Sequence, residues 1–431
     1  MAQINLQRNS EVYLSTVNID GGAVVTDMTP RNTWRIEVLA GYAFSQGAAT
    51  QDITTAESGL TPDRSTQRFN TGINPVDWSF STYIRPLGIN MTIDNGAGSG
   101  MTSNVKPLAD WMLWQALMSN TSPATGVGSS SSERSAWQAS GGTSSAKFTQ
   151  VNRVTSANVA AHNPNYAVAS ELYLYMKTDN IVYQITKATV NQGAVDAAID
   201  GIATTNWSGF GTTMVELTST KRNNAISVFG GVLNSGTSIN ANSNVIVQTG
   251  FQTAAFHPWA SANVNGTTRT ADFIKNRLTT IVVKHAASSV AAGVTYTFPV
   301  TALGFNYTNN ITYLTPEELS ALNTPIGQFS GSRTITGNFS AYLRVGSTES
   351  STLLNNIVAD TRTNSAQTAN ANLQIGSTTA PYFALNMPAV AFNFPTTSVE
   401  DVMGLSVEFL AQETTANKGS GDELEIHIGS S

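Results

Sequence analysis

Residues 80–85 read Phe80-Ser81-Thr82-Tyr83-Ile84-Arg85, and residues 339–344 read Phe339-Ser340-Ala341-Tyr342-Leu343-Arg344. In a β-strand successive side chains point to opposite faces. Trp78, Phe80 and Ile84 then share one face, and Ser79, Ser81, Tyr83 and Arg85 the other. In the second stretch Phe339 and Leu343 share a face, with Asn338, Ser340, Tyr342 and Arg344 opposite. Alternation of this kind marks half-buried antiparallel strands. The coincidence of the two patterns points to one fold made twice.

Flanking segments recur in the same order, as a duplication requires. Upstream, Ala40-Gly41-Tyr42-Ala43-Phe44 parallels Leu303-Gly304-Phe305-Asn306-Tyr307, and Glu11-Val12-Tyr13-Leu14 parallels Thr280-Ile281-Val282-Val283. A Thr-Pro pair, Thr61-Pro62 or Thr315-Pro316, lies between the aromatic strand and the Tyr-aliphatic-Arg strand. More weakly, Lys187–Val190 parallels Pro388–Ala391, and Asp200-Gly201-Ile202 parallels Asp401-Val402-Met403. The expected organisation is a first copy over 1–217, carrying a Ser/Gly-rich insertion at 119–149, a connector over 218–271, and a second copy over 272–431.

Each copy has one helical segment after its Tyr-aliphatic-Arg strand. Residues 106–118 are apolar almost all round, which predicts deep burial, and Pro107 suits a first helical turn. Residues 349–359 carry a single stripe, Leu353, Leu354, Ile357 and Val358, behind a Ser/Thr-rich start that offers caps. The segments 46–75 and 312–334 are long for hairpin connections and are expected to reach another subunit.

Composition limits the chemistry. The 431 residues are 41% hydrophobic but only 12% charged, with Ser, Thr, Asn, Gly and Ala making up the difference, about half the usual charged share. Such a chain suits strands and a surface largely covered by neighbours. No cysteine is present, so disulfides and thiolate metal sites are excluded. The N-terminus lacks a basic and apolar leader pattern, and no apolar run reaches the roughly 18 residues of a membrane helix. The expectation is a soluble protein assembled in the cytoplasm, with no membrane binding. Net charge is −6, from 22 basic and 28 acidic residues, and no run of Lys or Arg offers a phosphate-gripping patch.

Catalytic patterns do not emerge. His162, His257, His285 and His427 form no metal-binding spacing. There is no nucleophile elbow and no phosphate loop. Trp111/Trp114 and Tyr173/Tyr175 lie in apolar elements, which favours core packing over carbohydrate binding. No catalytic, cofactor-binding or metal-ligating residue is therefore assigned, and the protein is expected not to be an enzyme. Tyr83, Tyr342, Arg85 and Arg344, on the polar faces of matching strands, are candidates for an inter-domain or inter-subunit contact.

Several segments resemble one family. They are Trp78–Ile84, Trp111–Leu117, Asn309–Pro316, Pro325-Ile326-Gly327, Thr336–Leu343 and Asp401–Phe409, with Leu6–Ser10 and Leu14–Val17 at the start. Together they are similar to the duplicated-domain major tail tube proteins of long-tailed siphophages of the coliphage T-five type, over about residues 5–412. Some relatives add an immunoglobulin-like module after the second copy, and none is expected here.

The resemblance implies a mainly β fold of two tandem tail-tube domains, each a β-sandwich with a flanking helix, whose inner sheets join into a closed β-barrel ring. It implies trimeric pseudo-sixfold rings stacked into a tube within the virion. The implied partners are the tape-measure protein, tail terminator and baseplate or tip proteins, with double-stranded DNA passing through the lumen without specific binding. Glu37, Glu408, Glu423 and Glu425 are the acids weighed for the lumen. A host-binding fibre, a virion-borne polysaccharide-degrading enzyme and a contractile-tail inner tube are the competing readings. The absence of shallow repeats, of an acidic cluster and of a single-copy layout argues against each in turn.

Overall fold

In a computed structural model of the chain, the Phe80 and Phe339 strands lie in one continuous sheet. The structure describes residues 10–15, 18–21, 33–39, 41–53, 67–85, 91–94, 100–105, 110–118, 145–149, 172–178, 181–218, 274–285, 294–315, 323–362, 369–376, 382–398, 402–413 and 423–429. The expected connector (beyond Thr218), most of the 119–149 insertion, Pro107, Thr61-Pro62 and Pro316 lie outside these residues.

In the first half, β1 (Ser10–Ser15), β2 (Thr33–Ile36), β3 (Tyr42–Ile53), β4 (Gln67–Tyr83), β5 (Met91–Asp94) and β6 (Gly100–Val105) precede helix α1 (Trp111–Met118). Strands β7 (Ser145–Thr149), β8 (Tyr173–Thr178), β9 (Ile181–Ile185), β10 (Thr189–Ala198), β11 (Thr204–Gly211) and β12 (Met214–Glu216) follow. In the second half, β13 (Thr280–His285), β14 (Thr295–Pro299), β15 (Ala302–Thr308), β16 (Ile311–Leu314), β17 (Gly327–Ser330) and β18 (Thr334–Tyr342) precede α2 (Ser350–Arg362). The chain then forms β19 (Ala369–Gly376), β20 (Tyr382–Phe392), β21 (Thr396–Ser398), β22 (Gly404–Gln412) and β23 (Glu425–Gly429).

The large sheet runs β14-β13-β19-β20-β22-β18-β15-β10-β11-β4-β3, with β21 beside β22, β23 beside β20 and β7 beside β23. A second sheet runs β12-β9-β8-β1-β2. The two halves repeat the same neighbour relations. The order β3-β4-β11-β10 in the first is matched by β15-β18-β22-β20 in the second, and β2-β1-β8-β9-β12 by β14-β13-β19-β20-β23. What are two strands, β9 and β10, in the first half are one bent strand, β20, in the second. In the first half the chain breaks at Lys187, whose φ of 48° is a turn conformation. The halves meet where β10 pairs with β15. Among the described residues the sheet stays open, and β3 is an edge paired on one side by β4.

The registers refine the sequence alignment. Trp207 faces Phe80 across β11 and β4, and Val407 faces Phe339 across β22 and β18. Tyr42 lies opposite Phe80 while Leu303 lies opposite Phe339. Tyr42 therefore corresponds to Leu303 rather than to Phe305, a shift of two residues that keeps every side chain on its face.

Trp78, Phe80 and Ile84 are buried, as their alternation predicts. Residues Tyr173–Met176 alternate poorly because all of them are buried; β8 lies between β1 and β9, packed on both faces. Helix α1 is deeply buried at the meeting of the halves. Trp114 packs edge-on against Trp207 of its own half (4.9 Å between ring centres) and against Phe383 of the other (5.8 Å). Asn309 Nδ2 donates to the Leu117 carbonyl at 2.8 Å, closing one of the carbonyls that a helix end leaves open. Helix α2 buries only Leu353 and Ile357 of its stripe, leaving Leu354 and Val358 half-buried.

Candidate functional site: a polar sheet face

Of the eight strands from β20 to β3, all but the edge strand β3 bury one face of side chains, and all turn the other face outward. The outward face carries Asp77, Ser79 and Ser81 on β4, Asn206 and Ser208 on β11, and Gln192, Ala194 and Asp196 on β10. Across the seam it continues with Asn306 on β15, Thr336 and Asn338 on β18, and Ser406 and Glu408 on β22. Its polar side chains bond to one another across strands. Ser81 Oγ donates to Asn206 Oδ1 (2.6 Å), Gln192 Nε2 to Asn306 Oδ1 (2.7 Å) and Asn393 Nδ2 to Glu408 Oε2 (3.1 Å). The Gln192–Asn306 bond spans the seam between the halves.

The sequence of these strands dictates the electrostatics. Asp77, Asp196 and Glu408 project from the face, while residues 74–83, 189–198, 204–211, 302–308, 334–342 and 404–412 contain no Lys or Arg. Two shallow depressions lie on it, one between Ser45, Asp77, Gln192 and Ser208, the other between Asn306, Thr336, Asn338 and Glu408. At salt of cellular strength a fixed charge acts over roughly 8 Å. A polyanion touching the face meets carboxylates and neutral amides, with no Lys or Arg on these strand segments to hold it.

Of the acids weighed from sequence, only Glu408 lies on this face with its side chain described. Glu37 instead accepts an ion pair from Arg85 (2.8 Å). Arg85 lies two residues past the end of β4 and is itself buried; it is not on the exposed polar face. Glu423 faces Arg333 at 3.7 Å. The side chain of Glu425 lies outside the described residues. Sequence reasoning missed Asp77 and Asp196, although both fall on the Ser/Asn side of clearly alternating strands.

Both ends of the strands expose apolar residues. At one end the outer part of the β3–β4 hairpin and the β16–β17 hairpin extend together, joined by a hydrogen bond from Ile73 N to Asn323 O (2.8 Å). They expose Ile53, Phe69, Leu314, Ile326 and Phe329. At the other end Tyr83, Ile199, Ile202, Tyr342, Val402 and Met403 are exposed. Among the described residues no group of three or more His, Asp or Glu could hold a metal ion, and no helix is long and apolar enough to cross a membrane.

No family model matches the chain. The tail tube protein pb6 of Escherichia phage T5 is 28% identical over 430 residues, covering 97% of this chain and 75% of that protein. A cryo-EM structure of the anti-feeding prophage baseplate, 6-fold symmetrised, aligns with 31% of this chain and 89% of its own at 10% identity. Its TM-score of 0.26 is too low to carry an argument.

By this comparison the chain is similar to a structural protein of a phage virion. Within that class its relationship is to the T5-type major tail tube proteins, and it runs through both halves, as the quoted segments implied.

Proposed function

We propose that the chain is a duplicated tail-tube subunit, first domain 1–217 and second domain 272–431, three copies of which close a pseudo-sixfold ring. Rings stack into the tail tube, and the polar sheet face lines the lumen through which genomic DNA passes into the host cell. Assembly takes place in the host cytoplasm on the tape-measure protein, between tail terminator and tip.

The observation that carries this reading is the match between the internal seam and the open edges. Inside the chain, β10 of the first half pairs with β15 of the second. The counterpart of β15 is β3, an edge; the counterpart of β10 is the end of β20 with β21. A contact of this kind is head-to-tail, so repetition closes a ring when the rotation allows, and closure removes the exposed strand edges. The internal register transfers directly. Ala194 faces Asn306. Thr396 faces Ser406 as Ala194 faces Asn206, and Ser45 faces Asp77 as Asn306 faces Thr336. Thr396 of one copy therefore lies opposite Ser45 of the next.

Eight strands from each of three copies would give 24. With strands about 4.8 Å apart and tilted about 40°, such a barrel is on the order of 45 Å across its backbone, wide enough for a DNA duplex. The apolar residues at both strand ends supply complementary surfaces for stacking, which is the head-to-tail arrangement that grows a filament.

The test is electron microscopy of the purified chain with mass measurement of its rings. Hollow rings of three chains are expected. Rings of six chains, or a protein that stays monomeric when given an assembly initiator, would overturn the trimeric reading. Because the chain has no native cysteine, a Ser45→Cys/Thr396→Cys variant also reports the seam through inter-chain disulfides.

A further inference from the structure

At the internal seam α1 of the first half covers β20 of the second, with Trp114 against Phe383. Helix α2 is the second-half counterpart of α1, and the helices are tied at their start to the ends of matching strands, α1 to β4 and α2 to β18. Asp110 Oδ2 accepts from Thr82 Oγ1 (2.8 Å), while Ser350 Oγ donates to the Tyr342 carbonyl (2.7 Å) and accepts from Arg344 N (2.8 Å). Taking Asp110 and Ser350 as equivalent, Leu354 takes the place of Trp114, and Val358 that of Met118. Trp114 and Met118 have no exposed surface. Leu354 and Val358 remain half-buried.

The surface that receives Trp114 has a counterpart as well. Leu373 faces Leu385 on the second-half strands, as Met176 faces Tyr183 on the first. Leu373 faces Ile281 and Met176 faces Val12, the pair already equated from sequence. Tyr183 thus corresponds to Leu385, and Ile181 to Phe383. Phe383 and Leu385 are completely buried at the seam, whereas Ile181 and Tyr183 are half-buried. Tyr183 continues into the free edge, with its ring 4.9 Å from that of Phe44. Phe44 is half-buried too, although its counterpart Phe305, which faces Val195 across the internal seam, is 2% exposed.

We propose that α2 of one copy clasps the outer strands of the next copy, laying its Leu354–Val358 stripe on Ile181 and Tyr183 of β9. The occupant is a second copy of this chain because the two surfaces sit at the chain's opposite open ends and repeat, in apolar form, a contact that the chain makes with itself. The clasp rests on the ring reading above and adds to it an outer layer of contact, behind the paired edges. It also accounts for the difference between the helices: the helix at the internal seam is apolar all round, and the helix at the open end keeps a narrower stripe that is covered only on assembly.

Two cysteine pairs separate the clasp from the ring. In the Ile181→Cys/Leu354→Cys variant a short bismaleimide is expected to join neighbouring chains into covalent dimers and trimers. In the edge pair Ser45→Cys/Thr396→Cys an oxidant is expected to do the same. Linked edges with unlinked Ile181→Cys/Leu354→Cys chains would sink the clasp and leave the ring standing. Absence of rings and of both links would sink the ring reading and the clasp with it. Leu354→Glu gives a second readout. Its exposed half makes the folded subunit tolerant, so circular dichroism should match the parent, while the concentration needed for assembly rises about tenfold. Assembly at the parental concentration would count against the clasp.

Discussion

Thr82 Oγ1 donates a hydrogen bond to Asp110 Oδ2 at 2.8 Å where neither side chain reaches solvent. Trp207 Nε1 donates in turn to Thr82 Oγ1 at 2.9 Å, so the pair ties the first turn of α1 to the sheet beneath it. Burial pushes the Asp110 carboxyl up from 3.8 to about 6, against the pull of the Thr82 hydrogen bond and the charge of Arg85.

The sign of the resulting pH dependence follows. A carboxyl whose folded pKa lies above its unfolded value stabilises the fold when protonated. That contribution is complete below about 3.8 and is lost as pH rises through about 6. Two units correspond to roughly 3 kcal/mol. Asp110→Asn should therefore be more stable than the parent at pH 7, with the difference shrinking towards pH 4. Urea unfolding of both proteins across that range measures it. Parallel curves would remove Asp110 as the cause.

Two ion pairs of similar length should differ in weight. Arg85 and Glu37 approach to 2.8 Å with the Arg side chain 3% exposed, and Arg68 and Asp52 to 2.6 Å with side chains 63% and 43% exposed. Glu37→Gln withdraws a charge partner from a buried guanidinium and should cost about 3 kcal/mol. Asp52→Asn acts on a solvated pair that water and salt already screen, and should cost far less. Thermal unfolding of the two variants side by side gives the ratio, and equal losses would refute the distinction.

Gly337 lies opposite Phe409, and a Cβ there would come within 2.3 Å of the Phe409 ring and 2.8 Å of the Gly304 carbonyl. The backbone contact cannot swing away. Gly337→Ala should thus destabilise by about 1–3 kcal/mol, as overpacking does. Adding Phe409→Leu should recover part of the loss in a denaturant series, and no recovery would place the strain at the carbonyl instead.

The strand repeats were legible because half-buried strands write their two faces into the sequence at period two. Phe80 and Phe339 announced matching strands without any knowledge of their partners. The polar face was harder to read. Alternation says that Asp77 and Ser79 lie away from Phe80, but not that the strands bearing Asp196 and Glu408 continue the same surface. That depends on pairing between residues more than a hundred positions apart. Arg85 was misplaced for a local reason: the alternation was carried two residues beyond Tyr83, where the strand ends. The two helices carried a signal whose meaning lay elsewhere. The all-round apolar α1 and the striped α2 differ because one sits at an internal seam and the other at an open end.

If the polar face lines a lumen, its carboxylates keep DNA moving, and reversing them should make the tube hold DNA. Asp77→Lys, Asp196→Lys and Glu408→Lys together change the chain's formal charge by six units, from −6 to 0. All three side chains are exposed, so subunit folding should survive the change. Parental tubes should leave duplex DNA in the supernatant on sedimentation. The triple variant should carry DNA down, with affinity falling steeply as salt rises, because each phosphate neutralised releases counterion. Nuclease treatment locates the bound DNA: protection places it inside the tube, and digestion places it outside. The same three substitutions in a phage should slow genome release while leaving tail length unchanged. Triple-variant tubes that bind no DNA, or bind it only where nuclease reaches, would remove this face from the lumen.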